Sequence, residues 1–271
     1  MENIPVAGGE LSSMSLGQGP AVVMLHGLAT GNMATWYSSF ASPLAANHRV
    51  VLYDQRGHGG SSVPASGYDL DTQADDLEAV IAHHGLDAEP FDLVGHSMGA
   101  LVALHFALRH PQQLRRLVLV DAPMPACEYV APSLKGVHSR EALAAYAEKE
   151  LSAVMGHGGR RREKLLNRLN ALFFESTLVQ DVLAMQSEPE AGLAALALPV
   201  LLVYGRQSPC LAVGKHLLRV LPRATLAQLD CGHYIPEEAP KALLAALEAF
   251  LISSQLHSSA AIAPTAEAAL P

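Results

Sequence analysis

The chain has 271 residues, half of them apolar and 16% charged, with a formal net charge of −8. That composition can bury a sizeable core and excludes a disordered chain. With 18 Lys and Arg against 26 Asp and Glu, and no basic block beyond Arg160-Arg161-Arg162, it also excludes the basic footprint of a nucleic-acid binder.

The arginine run reads as a solvated helix start. Residues 1–20 are rich in Gly and Ser and lack a basic segment followed by an apolar core, so no secretory signal is expected there. No apolar stretch approaches the length of a membrane span. Cys127, Cys210 and Cys231 form an odd set without metal-ligand spacing and read as small buried hydrophobes. The expectation is a reduced, soluble, cytoplasmic protein.

Taken in chain order, short apolar runs recur. Ala21–Leu25 ends at His26-Gly27, and Arg49–Tyr53 ends at Asp54. Phe91–Val94 runs into Gly95-His96-Ser97-Met98-Gly99, and Leu117–Val120 ends at Asp121. Val200–Tyr204 ends at Gly205, and Ala224–Leu229 ends shortly before Gly232-His233. The runs are continuous rather than alternating, as strands covered on both faces are. Helical periodicity fills 72–84, 98–110, 212–221 and 238–256, so the pattern predicts an α/β protein with a mostly parallel sheet. The chemically notable residues follow the C-terminal ends of the runs, where open parallel sheets bind ligands.

Between Asp121 and Pro199 the strand rhythm stops. Segments 139–156, 160–175 and 176–186 read as helices, which predicts core segments at 1–121 and 199–252 and a helical lid at 122–198. Leu143, Tyr146, Leu151, Leu169, Leu172, Phe173, Phe174, Leu178 and Met185 exceed what a loop carries. Most are expected to pack the lid on the core and a few to line a substrate pocket. The Ser-, Ala- and Pro-rich tail, 253–271, is expected to be disordered.

Ser97 sits between a strand pattern and a helix pattern, flanked by Gly95 and Gly99. This is the context of a nucleophile elbow, a tight turn that exposes the serine hydroxyl. A serine so placed needs a histidine base and an acid to orient it. His26-Gly27, the turn from Asp54 to Ser61, the Ser97 elbow, Asp121 and Gly232-His233 occur in an order that resembles the α/β-hydrolase superfamily over about residues 18–252. Within it, the chain looks like the lidded serine-hydrolase branch of esterases and thioesterases. The resemblance implies a helical lid inserted after the sixth strand, Ser97 as nucleophile and His233 as general base. It further implies an oxyanion hole formed by the backbone N–H groups of Leu28 and Met98, with no cofactor and no metal. By the same resemblance His26 bonds locally, His96 supports the elbow, and Asp54 and Arg56 tie loops together.

The acid is where the pattern breaks. The resemblance places an aspartate after the penultimate strand, but Gly205-Arg206-Gln207 is followed by Ser208. A hydroxyl brings no negative charge to the imidazolium that forms. Three arrangements remain open: an acid relocated to Asp121, which leads; Asp230 or Glu128 as the orienter; or a dyad in which Ser208 or water orients His233.

A serine nucleophile implies a covalent acyl-enzyme, and Ser97 argues against dehalogenase and epoxide-hydrolase chemistry, which the fold carries out with an elbow aspartate. Hydrolysis of a small apolar carboxylic ester is the leading expectation. Thioester release of an acyl chain, with an acyl carrier protein as partner, comes second. C–C bond hydrolysis, lactone hydrolysis and acyl transfer fit the same residues, and a non-enzymatic ligand receptor is the alternative of another class. Arg206 either contacts a substrate carboxylate or faces solvent.

Overall fold

The computed structural model describes residues 1–29, 31–130, 136–150 and 159–252. The tail read as disordered and Leu151 lie outside the described residues. Among the described residues, eight strands form one sheet in the order β1-β2-β4-β3-β5-β6-β7-β8. They are β1 (Glu2–Val6), β2 (Gly9–Leu16), β3 (Ala21–Leu25), β4 (Arg49–Tyr53), β5 (Phe91–His96), β6 (Leu114–Val120), β7 (Val200–Gly205) and β8 (Ala224–Leu229). The β1–β2 and β2–β4 pairs are antiparallel, and every other pair is parallel.

Each central strand is buried on both faces, which is why the runs read as continuous. Val23, Leu25, Leu93, Leu117, Leu119, Leu202 and Tyr204 face one core with the helices α1 (Leu70–His83), α2 (Met98–Arg109) and, from the far end of the chain, α7 (Leu211–Val220). Their neighbours Val22, Met24, Val94, Val118, Val120, Leu201 and Val203 face a second core, closed by Trp36, Phe40 and helix α8 (Pro240–Ile252). Each fully buried Leu or Val contributes about 1.5–3 kcal/mol, so both layers hold the strand ends in place.

The insertion after β6 is helical: α3 (Arg140–Glu150), α4 (Gly159–Phe174), α5 (Leu178–Ala184) and α6 (Glu190–Ala195). Leu143, Leu169, Leu172, Phe173, Leu178 and Met185 join the core on the α1–α2 side, with Tyr146 packed against it. Phe174 is 38% exposed. The insertion is therefore anchored to the core along one apolar face.

The sequence pattern missed β1 and β2. Their inward positions include Ser12 and Ser13, which are buried because they have hydrogen-bond partners. Ser12 N–H donates to Ser61 Oγ at 2.9 Å, and Ser13 Oγ lies 3.1 Å from His84 Nε2. It also missed the start of β6, hidden by Arg115 and Arg116. Both guanidinium groups reach the fully buried Asp92, Arg115 at 2.7 Å and Arg116 at 3.3 Å, so the charges enter the sheet as a network.

Candidate active site

β5 ends at His96 and α2 begins at Met98, leaving Ser97 alone in the turn at φ 53°, ψ −120°. A non-glycine residue at positive φ costs on the order of 1–3 kcal/mol and persists only where its surroundings hold it. Ser97 N–H donates to Val120 O at 2.9 Å, which ties the turn to β6. A Cβ on Gly95 would collide with the Gly99 carbonyl, and one on Gly99 with the His26 carbonyl. Both glycines of the elbow are thus packing requirements.

β5, β6, β7 and β8 are neighbours in the sheet, and Ser97, Asp121, Ser208 and His233 follow their C-terminal ends in that order. His233 Nε2 lies 2.9 Å from Ser97 Oγ, and His233 Nδ1 lies 2.7 Å from Asp121 Oδ2. A carboxylate only accepts, so Nδ1 carries the proton and Nε2 presents its lone pair to the serine hydroxyl. Asp121 is fully buried, whereas the His233 side chain is 24% exposed.

Three further contacts hold the acid. Asp121 N–H donates to Val203 O at 2.8 Å, Gly205 N–H donates to Asp121 Oδ1 at 3.0 Å, and Ser208 Oγ–H donates to Asp121 Oδ2 at 2.5 Å. Cys210 N–H occupies the Ser208 oxygen at 3.1 Å, leaving the hydroxyl proton for the carboxylate. Ser208 therefore binds the acid. The other two candidates are elsewhere: Asp230 pairs with Arg206 at 3.0 Å on the exposed surface, and Glu128 is exposed on the short helix Ala126–Tyr129.

Neutral histidines brace the loop after β3. His26 accepts from Gln55 N–H at Nε2 (3.0 Å) and donates from Nδ1 to Gly27 O (2.8 Å); burial pushes its pKa down to about 4. His58 accepts from Ala29 N–H (3.1 Å) and donates to Arg56 O (2.9 Å); burial pushes it down to about 3. His96, also held to about 4 by burial, donates from Nε2 to the His233 carbonyl at 3.0 Å and steadies the base from behind. Asp54 accepts from Met33 N–H and Gly60 N–H, each at 2.6 Å, and Arg56 pairs with Asp76 at 2.6 Å. Sequence reasoning assigned Asp54 and Arg56 this tying role but missed Gln55 and His58, which lie in the same turn and were visible as polar residues there. Among the described residues, neither Leu28 N–H nor Met98 N–H has an acceptor.

Asp121, Cys210 and His233 bring three donor atoms within 4.8 Å of one another. Burial pushes the Cys210 thiol up to about 12, far from the thiolate that binds metals, and both His233 nitrogens are already engaged. The cluster is built for proton handling.

The profile of the family described as alpha/beta hydrolase fold matches residues 20–144. The sn-1-specific diacylglycerol lipase ABHD11 of Mus musculus is 30% identical over 86% of this chain and 81% of its own length. The cis-3-alkyl-4-alkyloxetan-2-one decarboxylase of Shewanella oneidensis is 26% identical over 92% of this chain and 87% of its own. Among solved structures, the esterase RhEst1 from Rhodococcus sp. ECU1013 superposes with a TM-score of 0.72 at 25% identity, covering 93% of this chain and 98% of that one.

Proposed function

The chain belongs to the α/β-hydrolase fold family, and from that footing we propose that it hydrolyses carboxylic esters with an apolar portion, through an acyl-enzyme at Ser97. The observation that carries this is the unbroken line Ser97 Oγ, His233, Asp121, with hydrogen bonds of 2.9 Å and 2.7 Å. An ester-cleaving lipase and an esterase among its relatives support the choice of bond.

His233 Nε2 takes the Ser97 proton as Oγ attacks the ester carbonyl. Asp121 stays ionised and stabilises the imidazolium. The N–H groups of Leu28 and Met98 take the oxyanion, the first held in place by the braced loop and the second at the start of α2, where a helix leaves its N–H groups unpaired. His233 then protonates the leaving oxygen and later deprotonates the water that releases the acid. The helices between 122 and 198 serve as the lid, and the apolar part of the substrate lies beneath them. The same residues would cleave a thioester.

The test is S97A assayed with 4-nitrophenyl butyrate. Turnover should fall by at least about 10⁴-fold with the fold intact by circular dichroism, and labelling by a fluorophosphonate probe should vanish. Undiminished turnover would remove the nucleophile assignment.

A further inference from the structure

A cavity of about 430 Å³ opens at the loop after β3, lined by Met1, by Ala29 and Gly31 of that loop, by Gly59 and Gly60, and by Lys164 and Arg168 of α4. Its size suits a small-molecule group. Ala29 follows directly on Leu28, so the cavity begins one residue from a proposed oxyanion donor.

Two cations line this cavity without a direct ion pair among the described residues. Arg168 is only half-exposed and donates to a single neutral acceptor, Ser61 O, at 3.2 Å. Among the described residues neither Arg168 nor Lys164 has a carboxylate partner within ion-pair distance. The Asp54 carboxylate acts on Arg168 through space, while its hydrogen bonds go to Met33 N–H at Oδ1 and Gly60 N–H at Oδ2. Burial lowers the Arg168 pKa, with Asp54 opposing the shift. A partly desolvated guanidinium without a carboxylate is costly, and a ligand oxygen would relieve that cost. Arg56 has Asp76, Arg115 and Arg116 have Asp92, and Arg162, on the same helix, has Glu148, whereas Arg49 and Arg223, like Arg168, donate to neutral oxygens.

We propose that this cavity is a subsite for a carboxylate carried by the substrate, held between Lys164 and Arg168 while the ester lies on Ser97. The substrate class is then an ester with an acidic end, such as a monoester of a dicarboxylic acid. A dianionic phosphate fits less well, because Ala29 N–H and Gly60 N–H, which could have cradled it, are committed to His58 and Asp54. The subsite deepens the ester-hydrolase reading and rests on it for the position of the reacting bond.

The test compares mono-4-nitrophenyl esters of glutarate, adipate and suberate with neutral alkanoate esters of matching length. At one chain length the acidic ester should be preferred by about tenfold or more in kcat/KM, chiefly through KM, and the preference should shrink as salt is raised. K164E and R168Q should each cut the acidic-to-neutral ratio by about tenfold, whereas R162Q should leave it where it is. No preference at any length, or a preference that survives in both variants, overturns the subsite while leaving the ester-hydrolase reading standing. If neither kind of ester is cleaved, that reading fails, and the subsite is decided by adipate binding to the intact protein. Thermal stabilisation by adipate that is lost in K164E supports it, and no stabilisation overturns it. Stabilisation by inorganic phosphate stronger than by adipate overturns the choice of carboxylate.

Discussion

The loops after β6 and β7 both reach His233's acid, and they bring different things to it. The β6 loop supplies the charge, Asp121, whose backbone N–H is pinned to Val203 O of β7 at 2.8 Å. The β7 loop supplies two donors, Gly205 N–H and Ser208 Oγ–H, and no charge. Adjacent strands lie about 4.8 Å apart, so a carboxylate moved from one strand end to the next still reaches the same imidazole from the side chain's own length. The sheet fixes where the acid must be in space. It does not fix which strand the acid grows from.

The largest effect is expected from D121N. An amide in place of the carboxylate removes the charge that stabilises the imidazolium and lets His233 adopt the wrong tautomer. Turnover of 4-nitrophenyl butyrate should fall by about 10⁴-fold. A fall of less than tenfold would mean that the charge comes from elsewhere. The next test moves the acid across the gap. D121N/S208D should recover about ten- to a hundredfold over D121N, since the introduced carboxylate would reach one bond beyond the present hydroxyl and face His233 Nδ1. S208D alone should not help, because two carboxylates in one buried site force a proton onto one of them. No recovery in the double variant would show that only the β6 loop has the geometry for an acid.

Much of this site was legible from sequence because its residues are punctuation. Gly95 and Gly99 mark the elbow, and each strand run stops at the residue that matters, as β6 does at Asp121. Asp121 was legible as the leading candidate for the acid, but the sequence left Asp230, Glu128 and a dyad with Ser208 open beside it. Asp121, Asp230 and Glu128 differ in burial and partners, and those properties come from contacts between distant segments: Asp121 with residues 205–233, Asp230 with Arg206. The N-terminal hairpin was illegible for a related reason. Its buried serines look like loop residues until Ser61 and His84 are brought beside them. Periodicity reports apolar burial, and both the hairpin and the acid cluster are polar burial.

The smallest effect on rate is expected at Ser208 itself. Its hydroxyl donates to a carboxylate that is ionised both before and during the reaction, so most of that bond's energy is common to ground and transition states and cannot appear in kcat. What does appear is the part that fixes Asp121 Oδ2 toward His233 Nδ1, about 1 kcal/mol, so S208A should lower kcat about fivefold with little change in KM. Stability should respond more. The buried carboxylate loses a charged hydrogen bond and Cys210 N–H loses its acceptor, which together cost about 2–4 kcal/mol in a denaturant titration. S208T, which keeps the hydroxyl, should restore kcat. Thus the two loops should separate by measurement, with β6 read mainly in rate and β7 mainly in stability. An S208A variant that is as slow as D121N but fully stable would reverse that assignment and make the hydroxyl, rather than the charge, the group on which His233 depends.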